Sequence, residues 1–484
     1  MKKLSTLVPQ PLFNYFEDIC QVPRPSKKEE KIRAFLLDFA GKNNLESKTD
    51  EIGNVLILKP ATQGMETAPT VILQTHMDMV CEKNSDKVFD FDNDAIDPRI
   101  VDGWVKANGT TLGADCGIGI AAQMAVLTSN NIKHGAIECL ITVDEETGLS
   151  GAFALQPGFL SGTVLLNLDS EDEGEIFIGC AGGVDTLATF KYVLESVPEN
   201  SAALKISVAG LLGGHSGDDI HKNRGNANKI LNRVLWNATK KFGAKLADFN
   251  GGNLRNAIAR EAFGVITIPE SVKDQVISDI QKLSDAIRVE FEISEPGLQI
   301  TCETIECPAT CIDLDTQQKL VNSIYACPHG VLEMSSRMEG MVETSTNLAS
   351  VKFIGDNKIQ VTTSQRSEIE SRKKYAAETI ESVFTLAGAE VKHSDGYPGW
   401  APNPNSEVLK TTVDSYKKLF GVEPVVRSIH AGLECGLFLE KYPKLDMVSF
   451  GPTIRGAHSP DERLDIATTG KFWNHLVDVL ANIR

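Results

Sequence analysis

The stretch ILQTHMDMVCEK, residues Ile72 to Lys83, joins a short apolar run to a histidine and an aspartate two positions apart. The run from Thr70 to Gln74 is rich in apolar and β-branched residues and has polar neighbours, which predicts a buried strand. Because side chains at i and i+2 of an extended chain point to the same face, His76 and Asp78 are expected side by side. At a strand end in an open α/β sheet, that face borders the usual ligand crevice. The pair alone is more typical of a capped strand end than of a site, so other segments decide its meaning.

The bulk composition predicts a globular protein of several domains. A chain of 484 residues is too long for one ordinary core, and its 42% hydrophobic and 23% charged residues are typical of soluble proteins. The net charge of −17 repels phosphates, so neither nucleic acid nor a membrane is an expected partner. No apolar run reaches the roughly 20 residues of a membrane span, and the N-terminal residues do not resemble an export signal. The expected location is therefore cytoplasmic, with the ten cysteines as reduced thiols.

Strand and helix patterns alternate in the first part of the chain. Residues 117–128 read as a buried helix and residues 136–143 as a buried strand, which predicts the α/β class with a mixed, largely parallel sheet flanked by helices. From 184 to 397, longer alternating strands and charged helices predict an inserted α+β domain. The α/β character then returns. The predicted domains are residues 1–183 and 398–484, which together form one α/β domain, and the insertion 184–397.

The first 40 residues predict two helices separated by a proline-rich turn. The second helix lies in the segment SKKEEKIRAFLLDFAGKNN. Its first residue, Ser26, is followed three positions later by Glu29, which is the spacing of a capping box. We therefore expect Ser26 to cap this helix.

Four further segments place acidic residues or a histidine just past a predicted strand or at the start of a helix. They are GADCGIG, LITVDEETGLSGA, LLNLDSEDEGE and FGPTIRGAHSPDERL, which contain Asp115, Asp144, Glu145, Glu146, Asp169 and His458. The alternatives are a helix cap at Asp115 and solvated acidic loops elsewhere. Mixed histidine and carboxylate ligation suits divalent zinc, cobalt or manganese. Two divalent cations balanced by three carboxylates leave one positive charge, which one hydroxide neutralises, so the inventory suffices for a two-metal centre.

These segments, in this order, resemble the motifs of the di-zinc exopeptidase family that includes aminoacylases, peptidase T and succinyl-diaminopimelate desuccinylase. PRPSKKEEKIRAFL, NLRNAIARE and SIHAGLECG are similar to its aminoacyl-histidine dipeptidase branch, and the resemblance covers essentially the whole chain. It implies a metal-dependent hydrolase of dipeptides with a free C-terminus, including Xaa-His and carnosine-like dipeptides. The alternatives are a related aminoacylase or tripeptidase and a non-catalytic metal-binding scaffold.

The resemblance also implies a ligand for each metal position. His76 and Asp169 would bind one ion, Glu146 and His458 would bind the other, and Asp115 would bridge them. The expected ions are Zn²⁺, with Co²⁺ or Mn²⁺ as alternatives. In this family the peptide bond after the bridging aspartate is typically cis.

Two acidic residues would take catalytic roles by the same resemblance. Asp78 would orient His76, and Glu145 would be the general base that acts on a hydroxide bridging the metals. Cys116 departs from relatives that carry a second aspartate at this position, and we interpret it, like Cys81, as a packing residue.

The inserted domain resembles the lid of this family. The resemblance implies that His215 donates a hydrogen bond to the tetrahedral oxyanion and that Asn256, Arg366 and Gly432 bind substrate. Arg366 would pair with the terminal carboxylate of the peptide, a role that suits its planar guanidinium. The resemblance further implies a homodimer through the lid, and it leaves open whether His215 acts in its own or in the partner subunit.

Overall fold

The computed structural model describes residues 2–484. The chain divides into two compact units. The first comprises the residues up to Gly179 together with Pro402–Ser428 and Leu433–Arg484, and the second comprises Cys180–Ala401 and Ile429–Gly432. Within residues 2–484, every helix is too short or too polar to cross a bilayer.

The helices and strands are numbered in chain order. The α-helices are α1 Gln10–Cys20, α2 Glu30–Lys42, α3 Ala114–Thr128, α4 Glu145–Gly148, α5 Ser150–Ala154, α6 Ala227–Phe242, α7 Lys273–Phe291, α8 Leu314–Ala326, α9 Glu370–Leu386, α10 Glu407–Phe420, α11 Glu434–Lys441 and α12 Ile466–Asn482. The strands are β1 Glu46–Thr49, β2 Val55–Lys59, β3 Val71–His76, β4 Arg99–Val101, β5 Trp104–Lys106, β6 Ile137–Thr142, β7 Val164–Asn167, β8 Glu175–Cys180, β9 Gly182–Lys191, β10 Leu194–Ser196, β11 Ser201–Ala209, β12 Gly214–His215, β13 Lys245–Gly251, β14 Ala257–Ile258, β15 Ala262–Pro269, β16 Gln299–Ile305, β17 Thr310–Ile312, β18 Gly330–Met334, β19 Val342–Phe353, β20 Lys358–Ser367, β21 Glu390–His393, β22 Val425–Ile429, β23 Asp446–Ser449, β24 Ile454–Arg455 and β25 Arg463–Asp465.

An eight-stranded mixed sheet runs through the first unit in the order β1-β2-β6-β3-β7-β23-β8-β22. The four central strands β6, β3, β7 and β23 are parallel neighbours, and β1, β2 and β8 join antiparallel. Every residue of β3 and β6 is buried, as expected for a sheet covered on both faces. The predicted α/β class is confirmed. Because the central strands are parallel, the segments that follow them leave the sheet at the same edge.

The second unit has a nine-stranded sheet, in which β16-β11-β15-β13-β19-β20-β9-β21 follow one another and β18 joins beside β19. Its pairings are antiparallel. Buried apolar residues of α6, α7, α8 and α9 pack with those of the sheet in one core. This is the α+β arrangement that the sequence predicts for the insertion.

The start of the chain differs from the prediction at one point. Helices α1 and α2 form, but α2 begins at Glu30 and no side chain caps it. Ser26 Oγ instead donates a hydrogen bond of 2.8 Å to Asp78, and the Glu29 carboxylate accepts one of 3.1 Å from the backbone N–H of Asp144. The capping-box prediction was wrong because these two side chains are engaged by the buried segments that follow β3 and β6.

Candidate functional site

Three of the five candidate metal ligands lie at or just past the ends of parallel strands of the first unit. His76 is the last residue of β3, and Glu146 lies in α4, just after β6. Asp169 follows β7 by two residues, and His458 lies in the loop between β24 and β25 with φ of 61°. Asp115 lies at the start of α3, where its backbone is not helical and its peptide bond to Cys116 is cis. The topology of the sheet therefore brings His76, Glu146 and Asp169 together, and the segments that carry Asp115 and His458 complete the group.

Asp115 lies between the two histidines. His76 Nε2 is 3.0 Å from Asp115 Oδ1 and 3.3 Å from Asp169 Oδ1. His458 Nε2 is 3.2 Å from Asp115 Oδ2 and 3.0 Å from Glu146 Oε2. Each oxygen of Asp115 thus contacts a different imidazole, and each imidazole contacts a further carboxylate.

The charges of this cluster depend on one another. Burial would lower the pKa of His76, but the carboxylates of Asp169 and Asp115 raise it well above its usual value. Hydrogen bonds to Asp115 and Glu146 raise the pKa of His458 to about 11. Burial opposes ionisation of Asp115, yet its bonds to both imidazoles hold the pKa of this carboxyl well below the usual range. The imidazoles therefore carry protons here, and the carboxylates attract any cation that replaces those protons.

The donor set fits two divalent cations. Ligand atoms of Asp115, Glu146 and His458 lie within 4.8 Å of one another, as do those of His76, Cys116 and Asp169. Glu146 Oε1 is buried and has no hydrogen-bond partner in the part of the chain that the structure describes. A buried carboxylate oxygen without a donor is costly unless it binds a cation. Imidazole and carboxylate donors are also those that zinc and similar ions prefer.

Asp78 contacts both ligand segments, the end of β3 and the start of α4. Its fully buried carboxylate lies 3.3 Å from His76 Nδ1 and accepts backbone hydrogen bonds of 3.0 Å from Glu145 and 3.2 Å from Glu146. Burial would raise the pKa of Asp78, but its bond to His76 and the donors around it lower it. An ionised Asp78 fixes the proton of His76 on Nδ1, which leaves Nε2 to face the candidate metal position.

The Glu145 carboxyl lies among other acidic groups. Burial raises its pKa well above the usual value, and the negative charges of Asp169, Glu434 and Glu146 add to that rise. A carboxyl with a raised pKa holds a proton more readily than an ordinary glutamate. A carboxyl with a pKa raised in this way is suited to take up a proton and release it again.

Glu434, the first residue of α11, is a buried carboxyl whose place near the candidate ligands is not predicted by the sequence. Its Oε2 accepts hydrogen bonds of 2.6 Å from Gln74 and 2.8 Å from Thr142, and its Oε1 has no partner among residues 2–484. Burial raises its pKa to about 8. The motif HAGLECG contains this residue, but only the fold shows that it contacts the C-terminal ends of β3 and β6.

Two further residues hold the loop that carries Asp115. The Glu462 carboxylate is 3% exposed and accepts backbone hydrogen bonds of 2.7, 2.9, 2.7 and 3.4 Å from Leu112, Gly113, Ala114 and Asp115. The buried Arg24 guanidinium donates to the carbonyl of Gly113 and, at 3.1 and 2.9 Å, to those of Met77 and Asp78. We call Arg24 and Glu462 the loop frame. Both occur in motifs that carried the resemblance, PRPS and AHSPDE, yet nothing in those motifs showed which backbone groups they contact.

His215 and the three predicted substrate-binding residues lie in the second unit. His215 Nδ1 accepts a hydrogen bond of 3.2 Å from the backbone of Asp218. The carbonyl of Asn256 accepts one of 2.8 Å from Ser216, which holds the His215 segment beside Asn256. Arg366 donates from Nη1 to the hydroxyl of Tyr397 at 2.8 Å.

Gly432 lies against the ring of Tyr397. A Cβ atom at Gly432 would be 2.8 Å from Tyr397 Cε2, which is closer than real Cβ atoms approach a neighbour. Tyr397, in the segment GYPGW, was not predicted to be a site residue. Its contact with Arg366 is visible only in the structure, because 31 positions separate the two residues along the chain.

Comparison with known proteins agrees with this geometry. The family described as Peptidase family M20/M25/M40 matches residues 72–482. The chain is 42% identical over 483 residues to the cytosol non-specific dipeptidase of Escherichia coli (strain K12), covering 100% of this chain and 99% of that protein. It is also similar to the crystal structure of aminoacylhistidine dipeptidase from Vibrio alginolyticus, with a TM-score of 0.94 and 44% identity over 99% of this chain and 98% of that one.

A more distant solved structure has the same fold. A tripeptidase from Staphylococcus aureus has a TM-score of 0.58 and 18% identity over 99% of each chain. At that identity the likeness concerns the fold alone. The family match and the full-length relatives together show that the chain belongs to Peptidase family M20/M25/M40.

Proposed function

We propose that this chain is a metal-dependent dipeptidase that hydrolyses dipeptides with a free C-terminus, Xaa-His and carnosine-like dipeptides among them. The observation that carries the proposal is Asp115, whose two carboxylate oxygens face His76 at 3.0 Å and His458 at 3.2 Å. The names of the relatives with 42% and 44% identity support the dipeptide as substrate class.

The proposed metal centre holds two divalent ions, with Zn²⁺ as the expected metal. His76 and Asp169 would bind one ion, Glu146 and His458 would bind the other, and Asp115 would bind both. When bound, two such ions polarise a scissile carbonyl and lower the pKa of an attacking water. The buried oxygen of Glu146 that has no donor supports this assignment.

Glu145 would transfer the proton. Its raised pKa makes it able to keep the proton that it takes from the attacking water until the leaving amine receives it. Asp78 would keep His76 in the correct tautomer, and its hydrogen bonds to the amides of Glu145 and Glu146 would hold both of these residues in place.

The second unit would recognise the substrate. We propose that the unit Cys180–Ala401, which overlaps the predicted insertion 184–397, acts as the lid and the dimerisation domain. His215 would donate a hydrogen bond to the oxyanion, and Arg366 would bind the C-terminal carboxylate. Asn256 would contact the substrate as well. The buried Nε–H of Arg366, which has no acceptor among residues 2–484, supports a carboxylate partner.

A comparison of three substrates separates this proposal from its rivals. The zinc-loaded protein would be assayed with Ala-His, Ala-Ala-His and N-acetyl-histidine under the same conditions. We expect the highest kcat/KM for Ala-His, because a clamp for a terminal carboxylate at a fixed distance favours the shortest peptide. Preference for the tripeptide or for the acylated amino acid would instead identify a tripeptidase or an aminoacylase.

Substitution of Glu145 tests the mechanism. We expect Glu145→Gln to lower kcat by a factor of about 10²–10⁴, the usual contribution of a general base. Elemental analysis should find that the variant keeps both metal ions, because Glu145 is not a proposed ligand. Glu339→Gln, at an exposed position, is the matched control and should keep full activity. Full activity of Glu145→Gln would refute the assignment, and absence of turnover in the wild type would favour a non-catalytic scaffold.

The homodimer, the cytoplasmic location and the identity of the metal stay predictions. Sedimentation of the zinc-loaded protein tests the dimer, and elemental analysis of protein purified without added metal tests the ion.

A further inference from the structure

A row of residues crosses the sheet of the second unit at Arg366. In the strand register, Ser345 of β19 is opposite Arg366 of β20, and Arg366 is opposite Gly183 of β9. Gly183 in turn forms an antiparallel bridge with Tyr397. Side chains of directly opposite residues lie on the same face of a sheet. Ser345, Arg366 and Tyr397 therefore share one face, and the missing side chain of Gly183 leaves space between the last two.

The ring of Tyr397 fills this space. A Cβ atom at Gly183 would lie 2.7 Å from Tyr397 Oη, and one at Gly432 would lie 2.8 Å from Tyr397 Cε2. Glycine is therefore required on both sides of the ring. The backbone of Tyr397 is fixed as well, because it exchanges hydrogen bonds of 2.8 and 3.0 Å with Gly183 and its carbonyl accepts one of 2.6 Å from Lys373 Nζ.

The Tyr397 hydroxyl occupies one end of the Arg366 guanidinium. Arg366 Nη1 donates to Tyr397 Oη at 2.8 Å. The Arg366 Nε–H has no acceptor within residues 2–484, although the residue is only 7% exposed. A buried guanidinium N–H without an acceptor is unfavourable, and a carboxylate satisfies two such groups at once when it binds an edge of the fork. With Nη1 engaged, the edge formed by Nε and Nη2 is the one left for a ligand.

Ser345, the neighbour of Arg366 on β19, is also held in place. Ser345 Oγ lies 2.8 Å from Nε2 of the buried His430. Burial lowers the pKa of His430 to about 3, so this imidazole is neutral at pH 7 and adds no positive charge next to the guanidinium. Arg366 is thus the charged group of the row, in which Ser345 and Tyr397 are uncharged.

We infer that Tyr397 is a positioning residue for substrate recognition, which holds Nη1 of Arg366 and so directs the Nε and Nη2 edge to the C-terminal carboxylate of the peptide. The inference rests on the proposed function, in which Arg366 binds that carboxylate. It also gives Gly432 a different role from the predicted one. Gly432 contributes by leaving room for the Tyr397 ring, and it does not need to touch the substrate.

The variant Tyr397→Phe tests the inference, because it keeps the ring between the two glycines and removes only the hydroxyl. The zinc-loaded variant would be assayed with Ala-His and with the C-terminal amide of Ala-His, which lacks the carboxylate. We expect KM for Ala-His to rise about tenfold while kcat stays within about threefold, since the hydroxyl acts on binding of a group remote from the reacting bond. KM for the amide should not change.

Tyr416→Phe is the matched control. It also removes a tyrosine hydroxyl from a hydrogen bond, that of 2.6 Å to Glu173 in the first unit. We expect both KM values of this variant to equal those of the wild type. A general loss of stability from a missing tyrosine hydroxyl would affect both variants, whereas the inferred effect belongs to Tyr397 alone.

Two results would overturn the inference. Unchanged KM for Ala-His in Tyr397→Phe would show that the hydroxyl does not position Arg366, and an equal rise for the acid and the amide would show a general effect on the fold. The variant Arg366→Gln distinguishes failure of the proposed function. If it too leaves the preference for Ala-His over the amide unchanged, Arg366 does not bind the carboxylate, and the proposal fails at that earlier step.

Discussion

Glu462→Gln should loosen the loop that carries Asp115. The wild-type carboxylate accepts four backbone hydrogen bonds of 2.7 to 3.4 Å from residues 112–115. A glutamine amide keeps the shape but offers one acceptor oxygen, so about two of the four N–H groups would face an NH₂ group. Each buried donor that loses its acceptor costs about 1–3 kcal/mol. Because the loop can relax partly, we expect the wild-type conformation of residues 112–115 to be destabilised by about 2–4 kcal/mol.

Hydrogen exchange measures this loss locally. Since a factor of ten in an equilibrium constant corresponds to about 1.4 kcal/mol, amides 112–115 should exchange about 30- to 700-fold faster in the metal-free variant than in the metal-free wild type. Mass spectrometry of a peptide that covers residues 110–117 reports this rate. A peptide from the second unit, such as one from β11, serves as the internal reference, because Arg24 and Glu462 both belong to the first unit.

The refuting result is specific. If the peptide that covers residues 110–117 exchanges within threefold of the wild type while the variant stays folded, Glu462 does not hold the loop. Glu339→Gln, which is exposed, should leave the exchange of both peptides unchanged. An increase in exchange across the whole first unit would show a global loss of stability and would also contradict a local role.

Three further outcomes are expected. Binding of zinc to the metal-free protein at pH 7.5 should release at least one proton per chain, because the pKa values of His76 and His458 are raised without a metal. Calorimetry in two buffers of different ionisation enthalpy measures this proton release. Zinc binding without proton release would contradict the ligand assignment. The low folded pKa of His430, about 3, means that only the unfolded chain gains its proton as pH falls below about 6.5. The stability contributed by a neutral His430 is thus complete above that pH and decreases below it. The free energy of unfolding of His430→Asn, measured with urea, should therefore depend less on pH between 7.5 and 5 than that of the wild type. An equal pH dependence of the two proteins would refute this explanation. Gly432→Ala should raise KM for Ala-His about tenfold, since its Cβ would meet the Tyr397 ring at 2.8 Å, and an unchanged KM would contradict the contact.

The sequence predicts which residues lie together at the candidate metal centre, and it does so for a physical reason. Its candidate ligands stand just past buried strands or at the start of a buried helix, and parallel strands deliver such positions to one edge of a sheet. The apolar run of residues 136–143 and its acidic continuation were therefore sufficient to place Glu146 near His76. The roles of these residues in metal binding and catalysis stay predictions.

The residues that support the site could not be predicted in the same way. Glu462 and Leu112 are 350 positions apart, and their contact depends on how two loops meet in the folded unit. The capping prediction for Ser26 failed because a local pattern cannot show that a buried carboxylate from another segment, Asp78, competes for the same hydroxyl. Tyr397 was missed because its relation to Arg366 requires the strand register across Gly183.

The place of β23 in the sheet has a consequence for biosynthesis. This strand, near the C-terminus, lies between β7 and β8, which are made much earlier. On the ribosome the sheet of the first unit cannot be completed until the strands of the second unit, which lie between residues 182 and 393, have been translated. His458 follows β23 in the chain, so a nascent chain cannot assemble the full set of proposed ligands before the second unit has been synthesised.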